Sequence, residues 1–355
     1  VRQRLVLLAA LVVAGAGAAS PALAADPGRW VLSGERELPA KYATGIASDG
    51  GGRLLLAGAA GLWRTDLRLA ENLRLDTAIP GGLERVGLTR IGSPSWDAAG
   101  RQWVVPLAGP SGAAALGLYA PELEWRLGVR LDGGASARWA QVLPGTGLVW
   151  TAAGSDLVGY RLSEAVSAVA LPKPGGIVPA ERRTGAVPAG TAAATADGGR
   201  LLLAGSDAGR LRLWSLDPAD PGAVPQLEAE REVAGAVAGL SAVTTLGGTL
   251  QVLLAPPAPG GPARLMSFVR AGDGALRLSV AGRPVRAGRP AGLAVRVTQT
   301  LGGAAVPLAG ARVSAGSRSV LTDELGEATL RVRPARPGTL VVRAARGELA
   351  AAPVR

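Results

Sequence analysis

Side chains able to do covalent or acid–base chemistry are few in this chain of 355 residues. It contains no cysteine and no histidine. That removes a thiolate nucleophile, a Ser-His-Asp triad, a histidine general base and any metal site built on Cys or His. What is left is chemistry by carboxylates, a hard cation held by oxygens, or binding without chemistry. The carboxylates beside turn signals are Asp49, Asp97, Asp156, Asp197 and Asp207. A pair of carboxylates facing each other across a channel can serve as the acid and base of a glycosidase. Asp97, after Ser95-Trp96, and Asp156, after Gly154-Ser155, are the candidates for that role. Aspartate also caps turns through its own side-chain hydrogen bonds. Asp197 in Asp-Gly-Gly and Asp49 before a glycine run read as turn formers. A calcium site would need clustered Asp, Asn and Glu. Asn72 is the one asparagine and no Asp-x-Asp run occurs, so neither a metal nor a cofactor is expected.

Such residues must be held by short strands rather than by a helical bundle. Glycine (52) and proline (26) are abundant, aromatics make up only 3%, and 48% of residues are apolar. This mix suits many turns around sizeable cores, and the length suits about two domains. Gly52-Arg53-Leu54-Leu55-Leu56-Ala57-Gly58 recurs identically as Gly199-Arg200-Leu201-Leu202-Leu203-Ala204-Gly205, and both copies lead into Leu-Trp. Looser copies start at Gly100, Gly147 and Gly248. A beat of roughly 40–50 residues, with several short strands in each unit, is the range of a β-propeller. The triple leucines suit strands buried on both faces. Five units are counted, and the fifth lacks an outer strand. The segment Arg29–Glu37 is expected to supply it and so hide the sheet edges. The tryptophans at 63, 103, 125, 139, 150 and 214 read as packing between sheets rather than as sugar platforms.

The first residues read as an address. Arg2 and Arg4 precede an apolar run from Leu5 to Ala14, and Ser20-Pro21 leads into the small-residue site Ala22-Leu23-Ala24. This is the three-part form of a secretory signal peptide, cleaved after Ala24, and the run is too short to span a bilayer. The mature chain is expected to be secreted or extracytoplasmic, with no membrane span. The Arg-rich, Lys-poor composition resembles that of a GC-rich bacterial gene.

Charge is unevenly placed. Residues 25–274 carry equal numbers of basic and acidic side chains, whereas residues 275–355 carry 13 Arg against Asp323, Glu324, Glu327 and Glu348. Two modules with different partners are implied. In the basic module, Leu308-Ala309-Gly310-Ala311-Arg312-Val313 is followed by Leu321-Thr322-Asp323-Glu324-Leu325-Gly326-Glu327-Ala328-Thr329-Leu330. Pro337-Gly338-Thr339-Leu340-Val341-Val342-Arg343-Ala344 comes next. This stretch of about 80 residues resembles bacterial Ig-like and carboxypeptidase-regulatory-like domains. The resemblance implies a small antiparallel β-sandwich acting as a spacer or adhesive module, with no catalytic residues. The boundaries expected are 1–24 for the signal, 25–271 for the propeller and 272–355 for the sandwich.

Two-residue alternation turns Arg296, Arg312, Arg331, Arg333 and Arg343 outward. Arginine suits phosphate because its planar fork holds two oxygens. At roughly 1 kcal/mol each near an anionic surface, five would give about 5 kcal/mol, enough for retention in an anionic cell-wall or envelope polymer. No aromatic interleaves these arginines, so nucleic acid is not expected as a partner. The sequence thus favours an exported, non-enzymatic binding or scaffold protein. The alternative is a propeller hydrolase of extracellular polysaccharide using paired carboxylates, and it requires two such groups about 5–10 Å apart at the channel mouth.

Overall fold

The computed structural model describes residues 30–354 except 51–52, 59–60, 67–72, 76–89, 110–112, 166–175, 198, 244–248, 271–274, 283–284, 302–303 and 324. The signal-like segment 1–24 lies outside the described residues. Among those described, no helix is long and apolar enough to cross a membrane. The described residues are nearly all β and form seven sheets, almost all of whose pairings are antiparallel.

β1 (Trp30–Leu38) comes first but belongs to the fifth sheet. The first sheet has the order β2 (Gly45–Ser48), β3 (Arg53–Gly58), β4 (Gly61–Asp66), β5 (Leu73–Leu75). The second contains β6 (Arg90–Ile91), β7 (Ser95–Asp97), β8 (Gln102–Ala108), β9 (Ala114–Tyr119) and β10 (Trp125–Leu131). The third has β11 (Ser136–Val142), β12 (Leu148–Ala153) and β13 (Asp156–Arg161), then β15 (Glu181–Arg183). Between β13 and β15 the chain reaches back, and β14 (Gly176–Ile177) adds a short parallel strand to β10. The fourth sheet runs β16 (Thr191–Asp197), β17 (Arg200–Asp207), β18 (Arg210–Leu216), β19 (Gln226–Glu232). The fifth contains β20 (Val237–Val243), β21 (Thr249–Leu254) and β22 (Ala263–Arg270), and β1 pairs antiparallel with β22 as its outer strand. The second strand of each sheet begins one or two residues after the five landmark glycines of the repeat.

The repeated leucines do the same work in both identical copies. Leu54 and Leu56 face the fifth sheet, packing with Leu253 and Leu265, while Leu55 faces the second sheet, packing with Trp103 and Leu107. In the other copy Leu201 and Leu203 pack with Trp150 and Leu157 of the preceding sheet, and Leu202 packs with Leu240 and Phe268 of the following one. A strand with sheets on both sides needs apolar residues at consecutive positions, which is why three leucines run together. Each buried leucine contributes roughly 1.5–3 kcal/mol.

The first strands of the five sheets touch in cyclic order: β2 meets β7, β7 meets β11, β11 meets β16, β16 meets β20, and β20 meets β2. Small residues permit that approach. A Cβ on Gly45 would lie 2.6 Å from the Ser93 Cα, and one on Gly239 would lie 2.7 Å from the Ile46 nitrogen. A Cβ on Gly92 would lie 2.3 and 2.4 Å from the carbonyl oxygens of Ala137 and Arg138. Polar side chains complete the seams: Ser95 Oγ accepts from the Val142 amide (3.2 Å), and Thr195 Oγ1 from the Ala242 amide (3.0 Å). The second sheet departs from the simple four-strand unit. Its first strand is broken between β6 and β7 at Gly92-Ser93-Pro94, where proline lacks an amide hydrogen, and the Ser93 amide instead donates to the Arg138 carbonyl at 2.8 Å.

Two tyrosines set an alkaline limit. Burial pushes the Tyr119 and Tyr160 phenols up to about 12, and Tyr160 donates a 2.6 Å hydrogen bond to the Asp132 carbonyl. A phenol whose folded pKa is raised adds stability that is complete below the unfolded value near 10 and is lost as pH rises towards 12. Between those limits each tyrosine should withdraw about 1.4 kcal/mol per pH unit. Chemical denaturation at stepped pH, with phenolate absorbance in parallel, should show midpoints falling only above pH 10. A midpoint that holds constant to pH 12 contradicts this.

The last two sheets share one core. The sixth comprises β23 (Leu276–Ala281), β24 (Ala291–Leu301) and β25 (Ala304–Pro307), with β28 (Glu327–Val332) pairing with the first half of β24. The seventh has the order β27 (Arg318–Leu321), β26 (Arg312–Ala315), β29 (Val342–Arg346), β30 (Leu349–Ala350). Leu293, Val295, Val297 and Leu330 of one meet Val313, Ala315, Val342 and Ala344 of the other. The chain turns tightly at Asp323–Gly326, where Asp323 Oδ1 accepts from the Leu325 and Glu327 amides, both at 2.9 Å, but this turn carries the chain from β27 of one sheet to β28 of the other and does not form a hairpin.

The β29–β30 turn rests on β1. Pairing of β1 with β22 slips between Leu32 and Gly34, which frees the Leu32 peptide groups. Glu348 takes both: its amide donates to the Leu32 carbonyl (3.0 Å), and its Oε2 accepts from the Leu32 amide (3.1 Å). Its Oε1 pairs with Arg231 of β19. Glu348→Ala should remove about 1–3 kcal/mol from this contact. Hydrogen exchange should then speed up at the Leu32 amide by tenfold or more, with β21 and β22 unaffected; unchanged exchange at Leu32 would show that the contact carries no energy.

Candidate functional site

The innermost strands begin around a cavity of about 740 Å³. All five of the ring's sheets contribute to it, through Thr44, Arg90–Gly92, Ser136–Arg138, Ala192 and Ala236–Ala238 among others. Its wall is mostly glycine and alanine because the inner strands approach too closely for larger side chains. Arg90 and Arg138 are the charged residues of the described lining, and no carboxylate lines it. Both arginines are exposed. Arg90 Nη2 makes one long contact, 3.5 Å to the Gly109 carbonyl. The backbone bridge between Ser93 and Trp139 makes the segments of the two arginines neighbours in the cavity wall. The Thr44 hydroxyl is buried without a hydrogen-bond partner among the described residues. Such an arrangement favours an anion, and among the described lining residues there is no carboxylate to act as acid or base.

The carboxylates singled out in the sequence stand beside turns, four of them at strand ends. Asp97 Oδ1 accepts from the amides of Ala99 (3.1 Å) and Gly100 (3.0 Å), and Oδ2 accepts from Gln102 Nε2 (2.9 Å). Asp156 accepts from Arg182 Nη1 (3.0 Å) and from the Gly185 amide (3.1 Å). Asp49 accepts from the Arg53 amide, and Asp207 opens the β17–β18 turn. Asp197 pairs with Arg270 at 2.6 Å, whose guanidinium lies over the Trp30 ring. None of these five lines the cavity. Among the described residues no three acidic side chains gather where they could hold a metal. The tryptophans at 63, 103, 139 and 150 are buried, and those at 125 and 214 half-buried, as packing residues would be.

The five arginines of the basic region are all exposed. They do not face one way. Arg296 and Arg331 alternate with the core residues of the sixth sheet, whereas Arg312 and Arg343 alternate with those of the seventh. Because the two sheets share a core, these pairs lie on opposite outer faces. Arg333 follows β28 and donates to the Gly288 carbonyl at 2.9 Å. Arg296 is 3.9 Å from Glu327, which partly offsets its charge.

Arg90 and Arg138 belong to no motif that would mark them in the sequence. The usable signal was spacing: the inner strands begin roughly ten residues before the landmark glycines, and those are the positions that ring the cavity.

No protein-family profile matches this chain, and no curated protein does. Several hundred solved structures resemble it weakly. The gluconolactonase XC5397 of Xanthomonas campestris is 12% identical with a TM-score of 0.39, over 64% of this chain and 73% of that one. The PQQ-bound aldose sugar dehydrogenase of Streptomyces coelicolor is 13% identical with a TM-score of 0.39, over 68% and 98%. A chain of the mitotic checkpoint complex is 12% identical with a TM-score of 0.34, over 94% and 100%.

Proposed function

We propose that this is an exported, non-enzymatic binding or scaffold protein. In this reading residues 25–271 form a five-bladed β-propeller whose open face recognises an extracellular ligand. Residues 272–355 form an Ig-like sandwich that retains it near the cell envelope. The cyclic contact of the five innermost strands supports the propeller, and the shared core of the last two sheets supports the sandwich. The observation that carries the functional reading is the cavity at the ring's mouth, lined by small residues and two arginines with no described carboxylate.

The opposed arginine faces refine the partner. A flat lipid surface reaches one face only, about 2 kcal/mol from two arginines. A polymer mesh surrounds both faces and engages all of them at once. We therefore favour an anionic wall polymer over a membrane. The mature chain should bind isolated anionic cell walls at low salt and be released as ionic strength rises. Arg312→Gln with Arg343→Gln should lower retention several-fold. Binding indifferent to salt would overturn the proposal.

Hydrolysis of extracellular polysaccharide is the second reading. It would need a pair of carboxylates, which the described lining of the cavity does not hold, and release of reducing sugar from a wall polysaccharide by the purified chain would favour it.

A further inference from the structure

We propose that the cavity at the ring's mouth binds a small ligand through an oxyanion, carboxylate or phosphate, held jointly by Arg90 and Arg138. This deepens the binding reading above and rests on it for the ring as the recognition element, but not on wall retention.

Three observations converge. The two arginines are on neighbouring inner strands and line one cavity, with no described acidic residue to neutralise them. Like charges so placed repel, and an anion between them converts that repulsion into two attractions. Glycine at position 92 is enforced by the backbone oxygens of Ala137 and Arg138, so no side chain from that residue can fill the space beside Arg138. Thr44 also lines the cavity, and its buried hydroxyl lacks a hydrogen-bond partner among the described residues, which leaves it free to donate to a ligand oxygen. A guanidinium fork suits a two-oxygen edge, which both carboxylate and phosphate present. The cavity is large enough for a ligand of several carbons beyond the anionic group.

The test uses the mature chain, with inorganic phosphate and acetate as separate probes titrated at low ionic strength by calorimetry. Arg90→Gln and Arg138→Gln should each weaken binding about tenfold or more, and the double variant should abolish it. Arg138→Lys should lose part of the affinity, since it keeps the charge but not the fork. Both positions are exposed, and unchanged circular dichroism would confirm folding. The two probes distinguish a phosphate-bearing from a carboxylate-bearing ligand. Arg312→Gln with Arg343→Gln should leave probe binding intact, while the double cavity variant should leave wall retention intact, so the two proposals fail separately. The inference is overturned if neither probe binds the unaltered chain, or if the double variant binds as well as it does.

Discussion

A chain shortened to begin at Pro39 is expected to lose the cooperative unfolding of the five-sheet unit. β1 closes that unit: it pairs with β22 along its length and buries Trp30, Leu32 and Leu38. Three such side chains represent roughly 4.5–9 kcal/mol of burial. A domain's whole stability is only about 5–15 kcal/mol. The truncation would also leave β22 as an open edge, able to pair with another chain. Broad, low-midpoint denaturation and self-association on gel filtration are the expected results. A synthetic peptide spanning residues 30–38 should restore the transition when added back. Trp30→Ala, a milder lesion, should cost about 3–5 kcal/mol. A monomeric truncated chain with an unchanged midpoint would show that the ring does not depend on this seam.

The second large effect concerns a glycine. Gly92→Ala places a methyl group 2.3 and 2.4 Å from two carbonyl oxygens of β11, and neither backbone can yield without moving a strand of the ring. Overpacking of this kind typically costs about 1–3 kcal/mol and more where nothing can relax. Gly92→Val should prevent soluble expression. Gly292→Ala provides the contrast. There the new methyl would meet, within 4 Å, only the Thr329 Cγ2 at 3.3 Å, a side-chain atom rather than backbone. Glycine within a strand is itself unfavourable by roughly 0.5–1 kcal/mol, so this change should be neutral or stabilising. Denaturant midpoints of the two variants should move in opposite directions, or the second not at all. Equal losses would refute the account of close approach at the axis.

The elements were more legible in the sequence than the site was. The two copies of Arg-Leu-Leu-Leu-Ala-Gly mark a physical necessity: a strand enclosed on both faces needs consecutive apolar residues, and the spacing of those strands is the spacing of the sheets. The outward arginines were legible because alternation along a strand is strictly two-residue. Their division between opposite faces was not, since it depends on which strands share a sheet, and β26 leaves the sheet of its sequence neighbours β24 and β25 to join β29. Short segments also escaped notice. β14 has two residues and owes its position to a neighbouring sheet, and β30 is held by a turn rather than by its own pattern. Arg90 and Arg138 were invisible because charge beside a strand is ordinary. Only the closed arrangement shows that these two meet at one opening.

The Glu348 contact has a mechanical consequence. The second unit is tied covalently to the end of β22 and non-covalently to β1, the strand that pairs with β22. Tension applied through the C-terminal half therefore reaches both strands of the closure together. Because both strands are pulled the same way, little force falls across the ladder of hydrogen bonds that joins them. A protein anchored by that half in moving fluid would keep its wheel shut under drag.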